Sequence, residues 1–150
     1  MARAKAPLAV LIVEDEALLA MDIEYMIEDV GHRVIAEAAS LFDVEALAPD
    51  LCPDIAFVDI QLARDTNGID VSRLIRQRWP KTFIIFVTAN PKKIPEDFAG
   101  AHGVIPKPFS KSGLVSAMRY IEEGVCDPPP TSPQPSSFLA SPAFAQSWQR

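Results

Sequence analysis

The sequence predicts an α/β domain in which helices cover both faces of a doubly wound, five-stranded parallel sheet. Two observations lead to this prediction. Short apolar runs alternate with amphipathic stretches between residues 8 and 123, which is the pattern of strands and helices following one another along a chain. The strand-like runs are also apolar throughout, as expected for strands that are buried on both faces.

The first half of this region is predicted to hold three strands and two helices. Gly31 marks the end of the first helix, because glycine readily takes the left-handed conformation of a helix C-terminus. Ser40 can cap the second helix by accepting a backbone N–H. In order, the predicted elements are a strand at Leu8–Val13, a helix at Ala17–Val30, a strand at Arg33–Glu37, a helix at Phe42–Leu47 and a strand at Ile55–Asp59.

The second half is predicted to hold two helices and two strands. Pro80 ends the first of these helices, because proline cannot continue a helical hydrogen-bond pattern. Between the two strands, Pro91, Pro95 and Gly100 disfavour a long helix and leave at most a short turn around Glu96–Ala99. The predicted elements are a helix at Ile69–Arg78, a strand at Phe83–Thr88, a strand at Gly103–Ile105 and a helix at Leu114–Glu122.

The chain is predicted to have three parts: an N-terminal extension at residues 1–7, one folded domain at 8–124 and a proline-rich tail at 125–150. The last 24 residues contain six of the 14 prolines, a composition that predicts a flexible segment. Alternatively, the apolar side chains of Phe138, Leu139, Phe144 and Trp148 could form a docking segment. We expect no separate output domain.

The charge and the apolar runs exclude several classes of protein. The net charge of -6 and the pI near 4.8 disfavour direct DNA binding, which depends on clustered lysine and arginine. The apolar run Leu8–Val13 is too short for a signal-peptide core or a membrane span. Cys52 and Cys126 have no second cysteine or histidine at metal-ligand spacing, which indicates reduced thiols. We therefore expect a cytoplasmic protein without membrane insertion.

Polar side chains stand where the predicted strands end. Glu14 and Asp15 follow the first strand, Asp59 ends the third, Thr88 ends the fourth and Lys107 lies just past the fifth. Ligands of open parallel sheets bind beyond the carboxyl ends of the strands, where the strand order reverses. In a sheet with the order 2-1-3-4-5, all five of these residues would converge on one rim.

This group of residues has the chemistry of a phosphoryl-transfer site. Three crowded carboxylates raise one another's pKa values unless a cation compensates them, and oxygen ligands alone suit a hard ion such as Mg²⁺. Lys107 adds a compact positive charge, and Thr88 adds a hydroxyl group. Phosphoryl transfer depends mostly on positioning and on neutralising phosphoryl oxygens. A free aspartate is already ionised at neutral pH, so no general base is needed.

The motifs at these positions resemble the receiver domain of two-component response regulators. The resemblance covers residues 8–123. It implies the flavodoxin-like strand order of receiver domains, 2-1-3-4-5. Its motifs are Val-Glu-Asp-Glu at 13–16, Phe-Val-Asp-Ile at 57–60, Phe-Val-Thr-Ala at 86–89 and Ile-Pro-Lys-Pro-Phe at 105–109. The stretch 86–90 also looks like the FATGUY subgroup of receivers, which are often single-domain proteins.

The resemblance implies a role for each site residue. Glu14 and Asp15 match the acidic pair that holds Mg²⁺ (or Mn²⁺), together with Asp59 and the main-chain carbonyl of Gln61. Asp59 matches the phosphoacceptor. Thr88 matches the hydroxyl that senses the phosphoryl group, and Lys107 matches the family's lysine. The expected partners are a sensor histidine kinase or phosphotransfer protein and a downstream protein.

Three other functions compete with this interpretation. A phosphatase of the haloacid dehalogenase type also uses an aspartyl phosphate, but it needs a second aspartate where this chain has Gln61. A flavodoxin-like cofactor domain needs a glycine- and hydroxyl-rich phosphate loop after the first strand, and the sequence has none there. A pseudo-receiver that only binds partners remains open, although the acids, the threonine and the lysine are all present.

Two features depart from the usual receiver pattern, and three other residues allow further structural predictions. Val104 stands where receivers have a switch aromatic, and the connection from Thr88 to Lys107 is short. We expect a cis peptide bond between Lys107 and Pro108, as in similar receivers. His32 and His102 have no partner at ligand spacing, so we expect them on the surface or in loops.

Overall fold

The computed structural model describes residues 7–148 and contains a six-stranded sheet with the order β2-β1-β3-β4-β5-β6. The first five strands are parallel, which confirms the predicted fold and strand order. The sixth strand is short, antiparallel and was not predicted. The strands are β1 (Ala9–Val13), β2 (Arg33–Ala38), β3 (Ile55–Val58), β4 (Phe83–Thr88), β5 (Gly103–Pro106) and β6 (Leu139–Ala140).

Within the described part of the chain, five α-helices and two 3₁₀ turns connect the strands and follow them. The predicted cap is present, since the Ser40 hydroxyl accepts the N–H of Asp43 at 3.2 Å. Within residues 7–148, no helix is long and apolar enough to span a bilayer. The helices are α1 (Ala17–Asp29), α2 (Leu41–Glu45), α3 (Gly68–Arg78), α4 (Lys111–Cys126) and α5 (Pro142–Ser147), and the turns are Pro91–Lys93 and Phe98–Gly100.

Both faces of the sheet are covered, which explains why the strand sequences are continuously apolar. In β1, Val10 and Ile12 face the core under α1 and α4, whereas Leu11 and Val13 face the core under α2 and α3. Successive side chains of a strand point to opposite faces. Each residue of β1 from Val10 onward is therefore buried against one layer of helices or the other.

The connection from β4 to β5 is irregular, as the sequence predicts. It contains only the two 3₁₀ turns. Phe98 and Ala99 both have a positive φ, a conformation that is costly for residues other than glycine. Ser72 of α3 donates to the Ala99 carbonyl at 3.0 Å, and the Asp97 side chain accepts the Ala99 N–H at 2.9 Å. These bonds hold the second turn in place.

Both histidines lie in loops, as expected, but His32 is buried and His102 is half-buried. His32 is buried, accepts the Leu8 N–H on Nδ1 at 3.0 Å and pairs with Glu122 through Nε2 at 3.2 Å. His102 stacks on Phe83 and accepts the Ile84 N–H. Burial, with a further effect of Arg76, lowers the pKa of His102 to about 4. Both imidazoles are structural groups.

The proline-rich tail lies along α4 and the edge of β5, where composition alone predicts a flexible segment. The helix α4 continues to Cys126, past its predicted end and past the predicted boundary at residue 124. Phe138 is fully buried against β5, and Trp148 packs on α4. A Cβ atom on Gly103 would collide with the Phe138 ring, and one on Gly124 would collide with Trp148. Two glycines thus make room for tail aromatics, although the tail's flexibility stays a prediction.

The carboxylate of Glu123 anchors the start of the tail. It accepts hydrogen bonds of 2.9 Å from the N–H and hydroxyl groups of both Thr131 and Ser132. These bonds, led by the Ser132 N–H, lower the pKa of Glu123 to about 2 against the opposing effect of desolvation. The ionised carboxylate therefore favours the docked tail above its ordinary pKa of 4.5. That contribution is lost as the pH falls towards about 2.

The docked tail predicts unequal effects for two adjacent substitutions. Phe138→Ala should lower the free energy of unfolding by about 3–5 kcal/mol, because it empties a fully buried aromatic site. Leu139→Ala is the matched control, since Leu139 is 46% exposed, and it should change stability by less than about 0.5 kcal/mol. Urea unfolding measures both values. Equally small effects would show that the tail is undocked in solution.

Candidate functional site

Three carboxylates meet at the carboxyl ends of β1 and β3. The Glu14 N–H donates to the carbonyl of Ala38, and the Asp59 N–H donates to the carbonyl of Val13, each at 2.9 Å. These bonds continue the strand pairing past the last paired residues and place both acids at one rim. Carboxylate oxygens of Glu14, Asp15 and Asp59 lie within 4.8 Å of one another. Glu14 is buried and Asp15 is exposed.

Lys107 reaches into this acid cluster from the end of β5. Its N–H donates to the Thr88 carbonyl at 2.8 Å, and the predicted cis peptide bond to Pro108 is present. The ammonium Nζ lies 3.0 Å from Glu14 Oε1 and 3.1 Å from Asp59 Oδ2. One cation therefore pairs with two carboxylates that belong to different strand ends.

The electrostatics of the site show an excess of negative charge. Burial raises the pKa of Glu14 to about 7, with a further rise from Asp59, and these effects exceed the lowering by the Glu16 N–H and by Lys107. Burial acts in the opposite direction on Lys107, but its bonds to Glu14 and Asp59 raise the pKa of the ammonium. Lys107 is thus held charged, while a single lysine does not fully compensate the acids.

The side chain of Thr88 contributes to the cavity beside Asp59. Thr88 is buried, and its Oγ1 accepts the N–H of Asn90 at 3.0 Å. Within residues 7–148 the Thr88 O–H donates no hydrogen bond, which leaves it available to a group in the cavity. The cavity has a volume of about 220 Å³, and its lining residues are Glu16, Leu19, Asp59, Ile60, Gln61, Thr88, Ala89, Asn90, Lys93 and Lys107.

The donor set suits a divalent cation. Carboxylate oxygens are the ligands that Mg²⁺ prefers, and the cluster of Glu14, Asp15 and Asp59 could hold a metal ion. Gln61, whose main-chain carbonyl is the fourth predicted ligand, lines the same cavity. A bound cation would also favour the ionised form of Glu14, whose pKa is raised by burial and, to a lesser extent, by Asp59.

Sequence patterns alone do not show the role of Gly68, which shapes the loop that follows Asp59. Gly68 donates its N–H to the Ile60 carbonyl at 2.7 Å, and a Cβ atom at this position would collide with the main chain of Asp59. Gln61 and Asn67 form an isolated antiparallel bridge that closes the loop between them. The Asn67-Gly68 pair is a turn signal in the sequence, but its contact with Asp59 depends on the fold.

Comparison with protein families identifies one match over most of the chain. The family described as "Response regulator receiver domain" matches residues 10–119. This range includes both acidic strand ends, Thr88 and Lys107. It leaves out the proline-rich tail.

The sequence is similar to those of several regulatory and chemotaxis proteins. The transcriptional regulatory protein PdtaR of Mycobacterium tuberculosis is 32% identical over 119 residues, 78% of this chain and 58% of PdtaR. The phyllosphere-induced regulator PhyR of Methylorubrum extorquens is 39% identical over 111 residues, 70% of this chain and 40% of PhyR. The chemotaxis protein CheY of Thermotoga maritima is 32% identical over 117 residues, 76% of this chain and 97% of CheY. The chain therefore spans roughly half the length of PdtaR and PhyR.

Solved structures give the same fold. A two-component response regulator of the LuxR family from Aurantimonas sp. SI85-9A1 has a TM-score of 0.68 at 26% identity, and the match covers 95% of both chains. The receiver (REC) domain of Erythrobacter litoralis PhyR has a TM-score of 0.67 at 30% identity, covering 85% of this chain and 95% of that domain.

Proposed function

The chain belongs to the response regulator receiver domain family, and we propose that Asp59 accepts a phosphoryl group in an Mg²⁺-dependent reaction. The donor is a phosphohistidine of a sensor histidine kinase or of a phosphotransfer protein. As a member of this family, the chain is a signalling module. It acts on its own aspartate, and the only chemistry that we assign to it is its own phosphorylation and dephosphorylation.

The observation that carries this proposal is the position of the Lys107 ammonium. It contacts the carboxylates of both Glu14 and Asp59. A buried carboxylate that only stabilised the fold would need one cation. Here one cation is bound to two carboxylates of a three-acid cluster at the edge of a cavity. Such a cluster is arranged to take up more positive charge and an anionic group, as a phosphoryl-transfer site requires.

Each side chain then has one task in the transfer. A carboxylate oxygen of Asp59 forms the bond to phosphorus, while the phosphorus–nitrogen bond of the donor breaks and the histidine leaves with its electron pair. Lys107 offsets negative charge beside Asp59, and the Thr88 hydroxyl donates to a phosphoryl oxygen. Glu14, Asp15, Asp59 and the Gln61 carbonyl would hold Mg²⁺ or Mn²⁺. The metal ion supplies the remaining positive charge when it is bound.

Phosphorylation at Asp59 is tested with a small phosphodonor. We expect acetyl phosphate with Mg²⁺ to add one phosphoryl group to the intact protein, as measured by mass spectrometry. Asp59→Asn, which keeps the size of the side chain but removes the nucleophile, should abolish the addition. Excess chelator should do the same with the unchanged protein. Label that persists in Asp59→Asn, or that forms equally well in chelator, would refute the proposal.

An exposed apolar stripe on α1 supports a protein as the phosphodonor. Leu18, Met21 and Tyr25 lie on one helix face, and Leu18 and Tyr25 are each 79% exposed. The neighbouring residues Glu16 and Leu19 line the Asp59 cavity. An exposed apolar patch of this kind is typical of a protein interaction site. Because the stripe borders the cavity, we propose that the partner docks on it and presents its phosphohistidine to Asp59.

Substitution within the stripe separates docking from chemistry. Tyr25→Ser should slow phosphotransfer from the cognate kinase roughly five- to tenfold, because aromatic residues dominate such interfaces. The rate with acetyl phosphate should stay unchanged. Phe42→Ser is the matched control, since Phe42 of α2 is also exposed, at 45%. A kinase rate unchanged by Tyr25→Ser, or lowered equally by Phe42→Ser, would contradict docking on α1.

We propose that the phosphorylated domain passes its signal to a downstream protein by direct contact and not by DNA binding. The net charge of -6 supports this, because DNA binding depends on clustered basic residues. A single-domain architecture stays a prediction. The FATGUY subgroup and the cytoplasmic location stay predictions.

A further inference from the structure

Lys93 is the second cation that lines the Asp59 cavity, and it differs from Lys107 in its ion pairing. Lys107 is bound to Glu14 and Asp59. Across residues 7–148, by contrast, no carboxylate lies within ion-pair distance of the Lys93 ammonium. Lys93 is exposed. The lining of the cavity therefore contains one lysine that is ion-paired with the acids, Lys107, and one that is not, Lys93.

The local fold holds Lys93 at this place. The Lys93 N–H donates to the Asn90 carbonyl at 3.0 Å, and the Ile94 N–H donates to the Pro91 carbonyl at 3.1 Å. Asn90 in turn donates its N–H to the Thr88 hydroxyl. Ile94 packs against the core under α3. The short 3₁₀ turn thus ties the main chain of Lys93 to Thr88 on one side and to the core on the other.

Lys93 also lies between two cavities. Besides the Asp59 cavity, it lines a wider groove of about 670 Å³ with Gln61, Leu62, Asp65, Thr66 and Asn67 among its other lining residues. The groove is bordered by the loop that follows Asp59. A molecule that approaches Asp59 along this groove therefore passes the Lys93 side chain.

The position of Lys93 matters because the rim of the Asp59 cavity is negatively charged. A phosphodonor brings a phosphoryl group with about two negative charges to a rim that already carries Glu14, Asp15, Glu16 and Asp59. The one charge of Lys107 is shared by two of those acids. An uncommitted ammonium at the mouth of the cavity offsets this repulsion and attracts anions from solution.

We propose that Lys93 captures the incoming phosphodonor by binding its phosphoryl oxygens at the mouth of the Asp59 cavity. The inference rests on the proposed phosphorylation of Asp59 and names a residue that binds the donor. Lys93 stays protonated and forms no covalent bond. With acetyl phosphate, Asp59 gains the bond to phosphorus, and acetate leaves with the electron pair of the broken oxygen–phosphorus bond.

The test measures the second-order rate constant of phosphorylation by acetyl phosphate with Mg²⁺ present. Lys93→Met should lower this constant roughly three- to tenfold at low ionic strength, and Lys93→Glu should lower it further. Lys93→Arg should restore most of the rate. The difference between Lys93→Met and the unchanged protein should shrink at about 0.5 M salt, because salt screens exposed charges. A merely structural role of Lys93 would not produce this dependence on salt.

Lys92→Met is the matched control, because Lys92 is the adjacent exposed lysine of the same turn but does not line the Asp59 cavity. It should leave the rate constant nearly unchanged. Equal losses in Lys92→Met and Lys93→Met, or a loss in Lys93→Met that persists at high salt, would overturn the proposal. If the unchanged protein is phosphorylated on Asp59 and Lys93→Met reacts equally fast, only this inference fails. If the unchanged protein takes up no phosphoryl group, the proposed function itself fails.

Discussion

The ammonium group of Lys107, bound to Glu14 and Asp59 at once, is the interaction on which the site depends. Without it, three carboxylates would crowd one rim with no cation among them, and burial would drive at least one to take up a proton. The ion pair can form only when the carboxyl ends of β1, β3 and β5 lie at one edge of the sheet, with β4 between β3 and β5. The strand order 2-1-3-4-5 is therefore a requirement of the chemistry as well as a result of packing.

This arrangement also explains why the site favours ligand binding: the charges of its acids are not fully compensated by Lys107 alone. A buried ion pair often gains little stability, because desolvation of the charges offsets their attraction. Here the raised pKa of Glu14 shows that the offset is incomplete. A divalent cation would supply the positive charge that the cluster lacks, and with that charge in place Lys107 and Thr88 could hold a phosphoryl group. The electrostatic repulsion among the carboxylates would therefore decrease when a cation binds beside Asp59.

Sequence patterns predicted the parallel sheet and the site because both depend on local signals. Continuous apolar runs identify strands buried on two faces, and polar residues at their ends identify the rim. The sequence did not predict β6 or α5, because tail composition predicts disorder while docking depends on long-range fits such as Phe138 against Gly103. The burial of His32, the contact of Gly68 with Asp59 and the position of Lys93 likewise depend on segments distant in sequence.

The central claim is that Asp59 itself carries the phosphoryl group, and chemical trapping tests it most directly. Borohydride reduces an aspartyl phosphate to homoserine, and peptide mass spectrometry then locates the changed residue. After phosphorylation with Mg²⁺, the account predicts homoserine at position 59 and unchanged residues at Glu14 and Asp15. Homoserine at position 15, or a phosphoryl group that resists borohydride and maps to a histidine or serine, would contradict it.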